Sequence, residues 1–130
     1  MSLKDHVILV VEDEKPLQDA IVAKFKVRDC QTVSARSVEQ ALGYLSDVKN
    51  INVIWLDHYL LGKEDGLDFV EKVKANEKWK SIPIYVVSNT ATADKVKTYL
   101  KFGVEKYYVK SDNKIDKIVQ EVINQIEEND

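Results

Sequence analysis

An open, mostly parallel α/β sheet with helices on both faces is the fold class this sequence predicts, and three observations carry it. Short apolar runs alternate with longer amphipathic stretches five times along 130 residues. The first run, "HVILVVE", is continuously apolar rather than alternating, as a strand buried on both faces is. The stretches between them repeat apolar residues at helical spacing, which provides a helical crossover between parallel strands.

Each element can be justified in turn. "HVILVVE" (6–12) reads as the first strand, with His6 as a surface residue at its start. In the following "DEKPLQDAIVAKFKVRD", Pro16 suits an early helical position, and Leu17, Ile21, Val22 and Phe25 form one helical face. "QTVSA" (31–35) is a shorter strand. Ser37 then caps a helix with Gln40 three residues on, a capping-box pattern, and Ala41, Leu42 and Leu45 line its apolar side. "INVIWLD" (51–57) is the third strand, and "GLDFVEKVKAN" the next helix, with Leu67, Val70 and Val73 facing inward. "IPIYVVS" (82–88) is the fourth strand, preceded by Trp79, which is expected to pack its loop against the sheet. "TADKVKTYLKF" is a helix that Gly103 can close in a left-handed C-cap. "EKYYV" (105–109) is the fifth strand. The closing helix, "NKIDKIVQEVINQIEE", sets Ile115, Ile118, Val122 and Ile126 on one face.

Composition narrows the functional classes. Apolar residues make up 45% and charged residues 32%, a soluble globular profile with no disordered tract. A net charge of −3 gives no electrostatic reason to expect nucleic acid or an anionic membrane as a partner. The single Cys30 excludes an internal disulfide and fits a reducing compartment. No apolar run approaches the roughly 18 residues of a membrane span. The expectation is one cytoplasmic domain over 1–130, ordered over about 5–128, with no output domain following inside the sequence.

The strand ends carry the chemistry, because ligands of open α/β sheets bind beyond the carboxyl ends of the strands. The first strand delivers Glu12, Asp13 and Glu14 there, and the third delivers Asp57. The fourth delivers Ser88, Asn89 and Thr90, and the fifth Lys110. If the first and third strands are neighbours, two or three carboxylates crowd together and raise one another's pKa unless a cation joins them. Oxygen ligands without His or Cys favour a hard ion, Mg²⁺ before Ca²⁺. A carboxylate beside a metal, a lysine and a hydroxyl is also equipped to attack a phosphoryl group. Against this stands the plain alternative that a strand-end Asp is a turn residue and a strand-end Lys merely solvated.

In order and spacing, "ILVVEDE", "VIWLD…DGLDF", "IPIYVVS" and "YYVK" resemble the receiver domain of two-component response regulators, over essentially the whole chain. The resemblance implies a flavodoxin-like (βα)5 fold with strand order 2-1-3-4-5. It implies that Asp57 is the phosphoacceptor, supplied by a phosphohistidine on a sensor histidine kinase or phosphotransfer protein. Glu12 and Asp13 correspond to the acidic pair that holds Mg²⁺ with Asp57, and the backbone carbonyl of Tyr59 to a further ligand. Lys110 matches the lysine that contacts the phosphoryl group, Ser88 the switch hydroxyl and Tyr107 the aromatic switch residue. Tyr59, Asn89 and Thr90 occupy positions that tune the acyl phosphate. The implied output is a downstream protein read through the face of the fourth helix, fifth strand and fifth helix.

Three departures accompany the resemblance. Leu61 stands where the family usually has proline, and the path to "DG" is one residue longer. Asn89 replaces a usual small residue, and Ser111 follows the lysine where a proline in a cis peptide is usual. A cis bond before a non-proline residue costs about 2.5–4 kcal/mol, which leaves that loop's geometry open. His58 is expected to face away from Asp57 in a packing or solvent role. Tyr107 and Tyr108 should point to opposite faces. Two other classes compete: a phosphorylation-independent interaction module of the same fold, and a Mg²⁺-dependent phosphohydrolase. The phosphohydrolase commonly needs an Asp two residues after its nucleophile, where this chain has Tyr59.

Overall fold

The computed structural model describes residues 3, 5–89 and 92–128. Five strands, β1 (Val7–Val11), β2 (Gln31–Ala35), β3 (Ile51–Leu56), β4 (Ile84–Ser88) and β5 (Lys106–Val109), form one sheet in the order β2-β1-β3-β4-β5. Every neighbouring pair is parallel. The crossovers are the helices α1 (Lys15–Val27), α2 (Val38–Asp47), α3 (Gly66–Lys74) and α4 (Ala93–Lys101), and α5 (Ile115–Glu128) closes the fold.

Strand alternation divides the interior into two cores. Val7, Leu9, Val11, Ile54, Leu56, Ile84 and Val86 meet α2, α3 and α4 through Ala41, Leu45, Phe69, Val70, Val73 and Tyr99. Ile8, Val10, Val53, Trp55, Tyr85 and Val87 meet α1 and α5 through Ile21, Phe25, Ile118, Val122 and Ile126. Burial on both faces is why β1 reads as an unbroken apolar run, whereas the edge strands β2 and β5 carry exposed polar residues. Each such side chain taken from water contributes about 1.5–3 kcal/mol.

One irregularity sets the height of the strand tips. Val7 pairs with Ile51 but Ile8 pairs with Val53, so Asn52 is an extra residue in β3. Its Oδ1 accepts the Val7 N–H at 2.8 Å, satisfying the interrupted ladder. Beyond the bulge the register brings Val11 opposite Leu56, so Glu12 and Asp57 leave the sheet side by side.

Several local expectations are met and a few are corrected. Ser37 caps α2 by accepting the Gln40 N–H, but Gln40 reaches back to the Arg36 N–H at 2.8 Å rather than completing a box on Ser37. The full reciprocal box is at α3, between Asp65 and Asp68. Gly103 follows α4 with φ +89°, the left-handed position expected of it. Trp79 packs partly buried on the α2–α4 core. His6 is buried rather than exposed, and its carbonyl accepts the Gln31 N–H, so the β1–β2 pairing begins at this residue. Leu17, Val22, Leu42, Leu67 and Ile115 are only partly buried edges of their helical faces. Among the described residues no helix is long and apolar enough to cross a membrane.

Candidate functional site

Four polar residues collect at the C-terminal edge because each sits at the end of a strand. Glu12, Asp57 and Lys110 are the first residues beyond β1, β3 and β5, and Ser88 is the last of β4. Backbone bonds carry the order of the sheet past the strands: Glu12 N–H donates to Ala35 O and Asp57 N–H to Val11 O, at 3.0 and 2.9 Å. Glu12 and Ser88 are fully buried, and Asp57 is 4% exposed.

Burial of two acids demands compensation. Lys110 Nζ supplies it by donating to Glu12 Oε1 at 2.8 Å and to Asp57 Oδ2 at 3.0 Å. The Glu14 N–H bonds Glu12 Oε2, and the His58 N–H bonds Asp57 Oδ1 at 2.7 Å. Asp13 joins the group: one carboxylate oxygen from each of Glu12, Asp13 and Asp57 lies within 4.8 Å of the others. Of the three carboxylates, Glu12 and Asp57 thus share the Lys110 ammonium. Burial, with the repulsion of Asp57, pushes Glu12 up to about 7 against the pull of Lys110 and the Glu14 N–H. Burial works against the charge on Lys110, but hydrogen bonds and charges from Glu12 and Asp57 outweigh it and hold its pKa above the ordinary value. The donor set is hard oxygen throughout, which fits a Mg²⁺-like ion and not a thiolate- or imidazole-seeking metal.

Ser88 and Tyr107 lie on the opposite strand parity. The Tyr107 ring is half-buried and hydrogen-bonded to Ser88. It packs at 5.6 Å on the ring of Tyr99 from α4. Tyr107 belongs to the α2–α4 core and Tyr108 to the α1–α5 core, as alternation requires.

His58 turns away from the carboxylates and is buried, so its role is in packing rather than in solvent. Its ring is also fully bonded. Lys95 Nζ lies 3.0 Å from Nε2 and Tyr99 Oη 2.6 Å from Nδ1. An ammonium only donates, so Nε2 must accept and Nδ1 carries the proton to Tyr99. Burial, and then the Lys95 charge, hold the imidazole below its usual pKa despite Asp65, Asp57 and Asp68. The fit around it is close: a Cβ on Gly66 would stand 2.5 Å from Tyr99 Oη and 2.8 Å from the Asp57 carbonyl oxygen.

Tyr59 is 56% exposed, its ring 4.9 Å from that of His58. Asn89 is exposed at the end of β4, and Thr90 lies outside the described residues. The Lys110–Ser111 peptide is trans, and the chain leaves β5 through a 3-10 turn, Lys110–Asp112. Sequence reasoning did not single out Arg36, Lys95, Tyr99 or Gln18. Only contacts made across the fold bring them to the site; Gln18, for example, is buried and bonds Glu12 O and Ala35 O.

Comparisons with known proteins agree with this fold. The family model described as the response regulator receiver domain matches residues 8–123. An NtrX-like response regulator from Rickettsia conorii is 31% identical over 113 residues, 86% of this chain and 23% of its own length. The two-component response regulator ORR11 of Oryza sativa is 25% identical, over 79% of this chain and 69% of its own. The chain therefore spans about a quarter of the length of the NtrX-like relatives. Among solved structures, a Mn²⁺-bound form of response regulator Rcp1 superposes with a TM-score of 0.79 at 28% identity, covering 89% of this chain and 90% of that one. The phosphorylated cyanobacterial phytochrome response regulator RcpA gives 0.78 at 25% identity, covering 94% and 91%. With a family match over most of its length and the acids, lysine and hydroxyl gathered at one sheet edge, this chain belongs to the response regulator receiver domains of two-component signalling.

Proposed function

We propose that the chain is a phosphoaccepting receiver: Asp57 takes a phosphoryl group from a phosphohistidine on a sensor histidine kinase or phosphotransfer protein, in a Mg²⁺-dependent reaction in the cytoplasm. The observation that carries the reading is the gathering of Glu12, Asp13 and Asp57, the first and last buried and sharing Lys110 as their counter-charge. A carboxylate oxygen of Asp57 forms the new P–O bond as the P–N bond to the donor imidazole breaks, giving an aspartyl-phosphate. Glu12, Asp13 and Asp57 would hold Mg²⁺, with the Tyr59 carbonyl as a further ligand. When bound, the ion supplies positive charge to the phosphoryl oxygens.

The chain's own residues do the rest. The His58 N–H orients the Asp57 carboxylate through Oδ1. Lys110, already bonded to Oδ2, is placed to take a phosphoryl oxygen. Ser88 is the nearby hydroxyl that donates to another. The new group brings roughly −1.5 to −2 charge and strong acceptors, so it competes with Tyr107 for Ser88. Releasing or holding Tyr107 shifts its packing on Tyr99, and hence α4. A downstream protein would read that change on the α4–β5–α5 face. Tyr59, Asn89 and Thr90 would tune the lifetime of the acyl phosphate. The catalysis lies in the domain's own phosphorylation and dephosphorylation, not in turnover of a separate substrate. The metal-bound state of Rcp1 and the phosphorylated state of RcpA support both halves of the reading.

The test is intact-mass spectrometry after incubation with a small-molecule phosphodonor. Wild type should gain one phosphoryl group only when Mg²⁺ is present, and Asp57→Asn should gain none. A wild-type chain that binds neither Mg²⁺ nor phosphoryl would instead be an interaction module of the same fold, independent of phosphorylation.

A further inference from the structure

We propose that Arg36 is a positioning residue for the metal site, a brace that ties together the two loops carrying its ligands; this rests on reading Glu12, Asp13 and Asp57 as Mg²⁺ ligands. Arg36 follows β2, on the strand next to β1. Its Nε and Nη2 both donate to the backbone carbonyl oxygen of Asp13, at 3.0 and 2.8 Å. Its own carbonyl accepts the Leu61 N–H at 2.9 Å, and Ser37 and Leu61 form an isolated parallel bridge beside it. Its N–H is held in turn by Gln40 Oε1 from α2. One residue therefore anchors the loop after β1 with its side chain and the loop after β3 with its main chain.

The three acids are not placed alike. Glu12 and Asp57 are oriented by bonds to their carboxylates, from Lys110 and from backbone N–H groups. Asp13 is half-buried, and the contact that places it is the Arg36 fork on its carbonyl. Mg²⁺ tolerates little departure from octahedral geometry, so a small drift of one carboxylate costs affinity. Supports outside the ligand set commonly change metal affinity 10–100-fold.

The departure at Leu61 gains a physical meaning here. A proline, which the resemblance would place at this position, has no N–H and could not donate to Arg36. In this chain the loop after Asp57 is instead pinned by a hydrogen bond to the residue that also pins Asp13.

The experiment titrates Mg²⁺ calorimetrically into wild type, Arg36→Met, Arg36→Lys and Leu61→Pro, with amide exchange measured on the metal-free proteins. Arg36→Met should weaken Mg²⁺ about tenfold or more, Arg36→Lys by less, and Leu61→Pro in the same direction. The sign separates positioning from charge. Removing a cation near a metal site should tighten binding if charge alone mattered, so unchanged or tighter binding by Arg36→Met overturns the brace. In the metal-free Arg36→Met protein the Glu14 amide, which shares its peptide with the gripped Asp13 carbonyl, should exchange about tenfold faster, while the sheet amides and the Leu61 amide, bonded to the Arg36 main chain, keep their protection. Equal acceleration across the sheet would mean a general structural role, and an unchanged Glu14 amide would remove the side-chain brace itself. Failure of wild type to bind Mg²⁺ would overturn the metal reading and this proposal's bearing on it, whatever the two amides report about the contacts.

Discussion

Asp57 and His58 are adjacent in sequence and open onto opposite kinds of surroundings. Asp57 faces two other carboxylates and one ammonium, a group left short of positive charge. His58 faces Tyr99 and Lys95, which satisfy both of its ring nitrogens. Both are buried, yet on one side carboxylates outnumber the Lys110 ammonium, while on the other hydrogen bonds satisfy the ring. The difference teaches where each side's energy is stored. On the Asp57 side it is electrostatic and released by a ligand; on the His58 side it is packing and hydrogen bonding, present without any ligand.

The substitution that should disturb this contrast most is Gly66→Ala, because Gly66 touches both sides. Its added Cβ would press on the Asp57 carbonyl oxygen, the His58 Cα and Tyr99 Oη at once. Overpacking against backbone costs about 1–3 kcal/mol. Urea denaturation should register that loss, and calorimetry should show weaker Mg²⁺ binding in the same protein. Full stability with full Mg²⁺ affinity would show that the neighbourhood yields without strain.

A smaller effect isolates the charged side through pH. Glu12 is held near 7, above its usual value near 4.5, chiefly by burial. The folded chain then binds more protons than the unfolded chain between those values, so metal-free stability should fall as pH rises from about 4.5 through 7. Mg²⁺ must displace that proton, so its affinity should weaken by up to about tenfold per pH unit below 7. Glu12→Gln should flatten the stability slope and lose most of the binding. Denaturation midpoints at pH 5 and pH 8, taken with and without Mg²⁺, measure both, and a stability rising with pH in the metal-free protein contradicts the assignment.

The smallest change probes the other side. Tyr99→Phe deletes the hydroxyl that accepts the His58 Nδ1–H and leaves that donor buried, at a cost of about 1–3 kcal/mol partly relieved by water or a tautomer change. Imidazole nitrogen shifts in NMR should report the altered tautomer balance, while Mg²⁺ affinity stays within about twofold. A large loss of Mg²⁺ binding would mean that the two sides are not separable.

How legible these features were varies with their physical origin. The five strands and five helices follow from local pattern, and the continuous apolar runs 7–11, 53–56 and 84–87 announce burial on both faces. Glu12, Asp57, Ser88 and Lys110 were legible as strand-end polar residues, and the resemblance supplied their order around the site. His58 was readable only as facing away from Asp57, since its partners come from α4. Gln40 matched a capping pattern yet serves Arg36, because a side chain with two nearby backbone donors chooses by geometry that sequence spacing does not encode.

By itself, then, the sequence determined the layered α/β fold and which acids, hydroxyl and lysine would reach one edge of the sheet. Hydrophobic periodicity acts over a few residues and strand ends are set locally, so both are written in short stretches. The tertiary structure alone decided that Lys110 spans 98 positions to reach Glu12, that Arg36 grips Asp13 and Leu61, and that Tyr99 completes His58. Those contacts depend on strand register, shifted by one residue at Asn52, and on helices packing over the sheet. A hydrogen bond tolerates only a few tenths of an ångström, and that precision exists only after the whole chain has packed.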